Sequence, residues 1–170
     1  MRAIFLDFDG VLNNGATLAR IRHDHADFEN DPTPFDEAEY LEPKLVQRAG
    51  ALALRTGAAI VVVSSWKERF SRLELERMLR ARGLPAQVPV YRCERWCAKG
   101  EAIRRFLVDS ARRGRGITAY VVLDDGPGPL PREDRLVQPS GAVGLTEAEC
   151  DRAAEILLGA EAARRRRRAA

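Results

Sequence analysis

Ile4-Phe5-Leu6-Asp7-Phe8-Asp9-Gly10-Val11-Leu12 constrains the fold more than any other stretch of this chain. Its apolar start reads as a buried strand, and two carboxylates follow, two positions apart, where that strand should end. Side chains of a strand alternate between faces, so continued extension would aim Asp7 and Asp9 to the same side. Gly10 then lets the backbone turn away and approach a ligand closely. Acids at the carboxyl end of an apolar strand make poor core, yet that is where ligands bind in open α/β sheets.

Two more apolar runs are built the same way. Ala58–Val63 ends in Ser64-Ser65-Trp66-Lys67, and Ile117–Leu123 ends in Asp124-Asp125-Gly126. Continuously apolar runs of this length belong to strands covered on both faces. Helical patterns separate them. Pro43 suits the first turn of a helix with the stripe Leu45, Val46, Ala49, Leu52 and Ala53, and Gly57 stops it. Ser71-x-x-Glu74 is a capping box opening a helix with Leu73, Leu75, Met78 and Leu79, closed by Gly83. Lys99 precedes a helix carrying Ile103, Phe106 and Leu107, ended by Gly114 and Gly116, and Thr146-x-x-Glu149 caps a last helix to about Leu158. Gln87–Tyr91 reads as a short edge strand, where Pro89 is tolerated, and Arg135–Gln138 as a fifth strand. At 170 residues and 45% apolar, the chain has room for one domain with one substantial core.

Asp7-Phe8-Asp9-Gly10-Val11-Leu12 resembles the first motif of the haloacid-dehalogenase (HAD) superfamily, dominated by Mg²⁺-dependent phosphatases with an aspartate nucleophile. Ser64, with Ser65 as the alternative, is similar to the second motif, whose hydroxyl binds the transferring phosphoryl group; the same hydroxyl can cap the next helix, and both can hold at once. A lysine in the first turn of a helix is electrostatically misplaced unless something negative lies near it, and Lys99 resembles the third motif. Asp124 and Asp125 resemble the fourth, which completes the Mg²⁺ site. The resemblance covers about residues 1–158 and implies an α/β, HAD-like Rossmannoid three-layer sandwich with a central, mainly parallel sheet and a minimal cap or flap at about residues 13–40. Within the superfamily, Asp9-Gly10-Val11-Leu12-Asn13, Ser64-Ser65-Trp66, Leu123-Asp124-Asp125 and Gly144-Leu145-Thr146 are most similar to the short HAD domains of bacterial Swiss-army-knife RNA-repair proteins. They also resemble, more loosely, polynucleotide 3′-phosphatases.

Receiver domains of response regulators also combine aspartates, a hydroxyl residue and a lysine with Mg²⁺. Their phospho-accepting aspartate ends a strand of its own before the hydroxyl residue, and no such aspartate lies between Asp9 and Ser64. The order of residues excludes that class. What the HAD resemblance implies is a chemistry: Asp7 as nucleophile, Asp9 as acid and then base, Ser64 and Lys99 on the phosphoryl oxygens together with Ser65 and backbone N–H groups near Gly10. Mg²⁺ would be held by Asp7, the backbone carbonyl of Asp9, Asp124 and Asp125. An aspartate at position 9 separates the chain from superfamily members that lack this acid, and points to phosphatase or phosphotransferase.

The remaining features are less directed. Residues 13–40 are polar and acidic, with room for a short helix near Ala16–Arg22, and His23 and His25 flank Asp24 without further ligands spaced around them. Cys93, Cys97 and Cys150 read as reduced thiols, and Trp96 as a packing residue. The net charge is +3, and Arg164–Arg168 supplies five positive charges, more than the whole excess, in a basic tail over residues 159–170. A run like this usually reads as a solvated, disordered tail, with contact with nucleic-acid ends as the functional alternative; the acidic 13–40 segment argues for a small phosphate ester instead. With no membrane span and a strand opening at Arg2, a cytoplasmic protein is expected.

Overall fold

The computed structural model describes residues 1–24, 36–126 and 128–159. The chain alternates strand and helix: β1 (Arg2–Leu6), α1 (Gly15–Asp24), α2 (Pro43–Thr56), β2 (Ala58–Val62), α3 (Arg72–Ala81), β3 (Val90–Arg92), α4 (Lys99–Arg112), β4 (Ala119–Leu123), β5 (Leu136–Val137) and α5 (Glu147–Leu158). Each strand pairs in parallel with its neighbours, in the order β3-β2-β1-β4-β5, so the sheet is parallel throughout rather than mainly so. β1 lies at its centre.

Alternation along the strands divides the core in two. Ile4, Leu6, Ile60, Val62, Val121 and Leu123 face the layer made by α2, α3 and α5. Ala3, Phe5, Val61, Val63 and Val122 face α4 through Ala102, Ile103 and Phe106. The result is the expected three-layer α/β sandwich. Phe5 meets Phe106 and Tyr120 edge-on, with ring centres 5.7 and 5.6 Å apart, which fixes α4 against the sheet.

Local chemistry sets the helix boundaries. Pro43 opens α2 and Gly57, in the left-handed region at φ 64°, closes it. Ser71 with Glu74, and Thr146 with Glu149, form the two capping boxes at the starts of α3 and α5. α1 occupies the place of the short helix expected near Ala16–Arg22. Asn14 starts it by accepting from the Thr17 N–H at 3.0 Å, and its buried side is narrow, with Thr17 and Ile21 turned inward.

Three details depart from expectation: β3 begins at Val90, after Pro89, rather than at Gln87; Leu73 of the α3 stripe is exposed; and Trp96 does not pack into the core. Trp96 is 80% exposed, in a turn where it alone among the described non-glycine residues has a positive φ, 58°. Its backbone N–H is taken by Glu68 Oε2 at 2.7 Å, and that turn carries the indole outward instead of into the core. His25, Asp27, Glu29 and Asp31 of the acidic segment, Pro127, and the Arg164–Arg168 tail lie outside the described residues. No helix among the described residues is long and apolar enough to cross a membrane.

Candidate active site

Register places the polar residues on one rim. Leu6, the last residue of β1, pairs with Val62 of β2 on one side and Leu123 of β4 on the other, so the three central strands end level. As the strands run out, the chain delivers Asp7 and Asp124 beside each other, with Ser64 one residue beyond Val63, which is level with Asp7. Asp7 N donates to Leu123 O at 2.9 Å, which extends the ladder one step past β1. From Phe8 the backbone coils: Val11 N and Leu12 N both donate to Phe8 O, at 3.1 and 2.8 Å. The extended geometry that would send Asp7 and Asp9 the same way is therefore lost after Asp7. Asp7 is 4% exposed, whereas Asp9 is an exposed residue.

Three carboxylates converge. Asp7, Asp124 and Asp125 each offer an oxygen within 4.8 Å of the others. Lys99 Nζ donates to Asp7 Oδ2 at 2.5 Å and to Asp124 Oδ2 at 2.8 Å. That explains a lysine as the first residue of α4: the buried negative charge outweighs its unfavourable place on the helix dipole. Burial pulls the Lys99 ammonium down, but its bonds to Asp124 and Asp7 carry it above its ordinary value. Burial pushes Asp124 up from the usual carboxylate range; the Lys99 hydrogen bond opposes this, and the Asp7 charge adds to it.

Two glycines make room for this cluster. Gly10 has φ 71°, and a Cβ there would collide with the Asp125 carboxylate. At Gly100, a Cβ would strike the carbonyl of Pro129, so the start of α4 lies directly on the loop after Asp125 and Lys99 is brought to the acids. Gly144 completes the rim at φ 78°, where a Cβ would come within 2.5 Å of Leu45 Cδ1. Leu145 N then donates to Val11 O at 2.9 Å and Thr146 caps α5, giving Gly144-Leu145-Thr146 a structural meaning.

Asp9 stands apart from the three-carboxylate group. Its Oδ1 accepts from Asn13 Nδ2 at 3.0 Å and its Oδ2 from Trp66 Nε1 at 3.1 Å. Asn13, 2% exposed, also accepts the Gly10 N–H through Oδ1 at 2.9 Å. Trp66 packs edge-on against buried Phe8 at 5.4 Å between ring centres. Neither role of Asn13 or Trp66 is visible in composition or periodicity; the signal was their place inside the two motifs, Asn13 three residues after Gly10 and Trp66 two after Ser64.

Ser64 is fully buried and caps the short 3₁₀ turn Ser65–Glu68, its Oγ accepting from Trp66 N at 3.4 Å, while Ser65 is exposed. Neither hydroxyl is bonded to the carboxylates. Lys67, also buried, is turned to Glu68 Oε1 at 2.5 Å and Cys97 O at 3.4 Å, so Lys99 is the lysine that reaches the acids. His23 is exposed and joins no group of metal-binding side chains among the described residues.

Strand-end carboxylates, a helix-borne lysine and a parallel α/β sheet define a HAD-type domain. The family model described as the HAD domain in Swiss Army Knife RNA repair proteins matches residues 3–150, and the chain belongs to that family. No curated protein and no solved structure matches it.

Proposed function

We propose that the chain is a cytoplasmic, Mg²⁺-dependent phosphomonoester phosphatase that works through an aspartyl-phosphate on Asp7 and acts on 3′-phosphate ends of nucleic acid. The observation that carries this reading is the convergence of Asp7, Asp124 and Asp125 within 4.8 Å, with Lys99 bonded to two of them. Membership in a family of RNA-repair HAD domains supports the hydrolase class and the choice of substrate.

The donor set fits the metal. Three carboxylates are hard oxygen ligands of the kind Mg²⁺ takes in small number, leaving its other positions to water and phosphate oxygens. Asp7, Asp124 and Asp125 would hold it, with the Asp9 carbonyl as a further ligand. Bound there, Mg²⁺ neutralises phosphate charge and orients the ester for attack.

The chain's own residues do the rest. Asp7 attacks phosphorus in line, forming a P–O bond as the bond to the leaving oxygen breaks, and Asp9 gives that oxygen its proton. Water then attacks the phosphorus of the aspartyl-phosphate, Asp9 takes its proton, and the bond to Asp7 breaks to release phosphate and restore the carboxylate. Lys99, Ser64, Ser65 and the backbone N–H groups around Gly10 hold the phosphoryl oxygens, where preorganised donors lower the barrier most. The Arg164–Arg168 tail adds attraction for the polyanion.

Phosphate release measured with and without Mg²⁺, across 3′- and 5′-phosphorylated oligonucleotides, mononucleotides and sugar phosphates, tests this. The expected result is Mg²⁺-dependent release favouring 3′-phosphorylated ends, lost in Asp7→Asn. Preference for sugar phosphates would overturn the substrate, and wild-type turnover in Asp7→Asn would overturn the mechanism.

A further inference from the structure

A cleft of about 330 Å³ opens beside Asp9, walled by Tyr40, Trp66 and Phe70 and edged by Glu37 and Arg69. We infer that this cleft is the leaving-group subsite and that it takes a nucleobase stacked on its aromatic wall. The inference rests on the phosphatase reading for its place in the reaction, because Asp9 is there the residue that protonates the leaving oxygen.

Position comes first. Asp9 lies in the wall of the cleft, and Trp66 joins that wall to it through the 3.1 Å bond from Nε1 to Asp9 Oδ2. Asp124, Asp125 and Lys99, which gather with Asp7, are absent from the lining of the cleft. An ester whose leaving oxygen meets Asp9 therefore projects its organic part into the aromatic cleft.

The wall is rigid. Tyr40 meets Trp66 edge-on at 6.1 Å, Phe70 lies tilted against it at 5.7 Å, and buried Phe8 supports it from beneath at 5.4 Å. The Arg69 guanidinium sits 5.1 Å from the centre of the Phe70 ring, adding a planar cation to the same surface.

Chemistry selects the occupant. A sugar or polyol phosphate presents a ring of hydroxyls and needs a matching set of donors and acceptors. This wall sets the rings of Tyr40, Trp66 and Phe70 beside Asp9, Glu37 and Arg69, ring surface for a base together with polar groups for its edge. The volume is near the lower end of the range of about 300–1,000 Å³ usual for small-molecule sites, room for one unstacked nucleoside. Every base has a π-face, so such a platform accepts the terminal nucleoside of any sequence.

The test separates this inference from the phosphatase reading. The chain has two tryptophans, so Trp96→Phe leaves Trp66 as the sole reporter. In an Asp7→Asn, Trp96→Phe protein, Trp66 fluorescence is titrated with adenosine 3′-phosphate, adenosine 5′-phosphate and ribose 5-phosphate. Both adenosine esters are expected to perturb Trp66 and to bind about tenfold or more tighter than ribose 5-phosphate, within the range of one base–aromatic stack. Phe70→Leu, and separately Arg69→Ala at an exposed position, should cut that ratio severalfold. A ratio near one, or a ratio indifferent to both substitutions, overturns the subsite. The same esters are then assayed for phosphate release by the wild-type protein. Base-dependent binding without hydrolysis of any ester would sink the phosphatase reading and leave the base-binding cleft standing. Hydrolysis without preference for the base would do the reverse.

Discussion

Gly10 and Asp125 fit together through a missing side chain: at φ 71° the α-carbon of Gly10 faces the Asp125 carboxylate, and a Cβ would collide with its Oδ2. Gly141 closes on the same oxygen from another side, where a Cβ would lie 2.7 Å away. The two glycines form a slot that holds the third carboxylate beside Asp7 and Asp124.

Gly10→Ala should therefore damage stability and chemistry together. The left-handed backbone costs alanine about 1 kcal/mol, and displacement of Asp125 adds to it, for an expected total of about 1–3 kcal/mol. Urea denaturation should show the loss as a lower midpoint with unchanged slope, and phosphate release should fall about tenfold or more. An unchanged midpoint would mean that Asp125 moves freely and that the slot is not what holds it.

Asn13→Ala tests the anchoring of Asp9. It removes a donor to Asp9 Oδ1 and leaves the Gly10 N–H, which Asn13 Oδ1 accepts, without its partner. An unsatisfied, partly buried donor costs about 1–3 kcal/mol. The effect on turnover should appear in kcat more than in KM, because in the proposed reaction Asp9 would act on the leaving oxygen. Asn13→Asp keeps the acceptor for Gly10 but sets a like charge against Asp9; it should recover little of the turnover. Full activity in Asn13→Ala would show that the Trp66 bond alone positions Asp9.

The acids and Lys99 were legible in the sequence for a physical reason: Asp7, Asp124 and Lys99 are costly where they stand unless they serve each other, and the sequence displays that cost directly. Asn13 and Trp66 were not, since asparagine after a glycine turn and tryptophan near apolar residues both have ordinary structural uses. Their bonds to Asp9 span 4 and 57 positions and exist only in the folded chain. α1 carried little periodicity because an Asn14 cap, and not a broad apolar stripe, defines it. Trp96 was misread because the default for an indole is packing, while the fate of this one is decided by a left-handed turn and a Glu68 contact that no local pattern announces. Gly100 is intermediate: a glycine at the second position of a helix signals close approach, but not that the partner is Pro129.

The thiols provide a pH test. Burial pushes Cys93 and Cys150 up to about 12, while Cys97 is half-buried, its Sγ 3.7 Å from Glu94 O. A disulfide reagent at pH 8 should label Cys97 alone in the native protein and all three thiols in denaturant. Both buried groups have folded values above the ordinary 9.0, so their contribution to stability is intact below pH 9 and is lost as pH rises from about 9 to about 12. The urea midpoint should fall across that window, and Cys93→Ala and Cys150→Ala should each flatten the fall. Rapid native labelling of two or three thiols would show that one of the buried sites opens readily.

Magnesium should stabilise the fold. Without it, Lys99 is the cation bonded to the carboxylates, and it balances only part of the charge of Asp7, Asp124 and Asp125. A ligand at 100 times its dissociation constant adds about 2.7 kcal/mol, which for a domain of this size raises Tm by about 5–10 °C. Thermal unfolding with Mg²⁺ and with EDTA should show that rise in the wild type and its loss in Asp124→Asn. The rise should also shrink as pH falls, because burial holds Asp124 above the usual carboxylate range and protons then compete with the metal for its oxygens. Asp7→Asn keeps two of the three carboxylates and should retain part of the shift while abolishing turnover, separating metal binding from nucleophilic attack. An equal shift in wild type and Asp124→Asn would place the metal elsewhere on the protein.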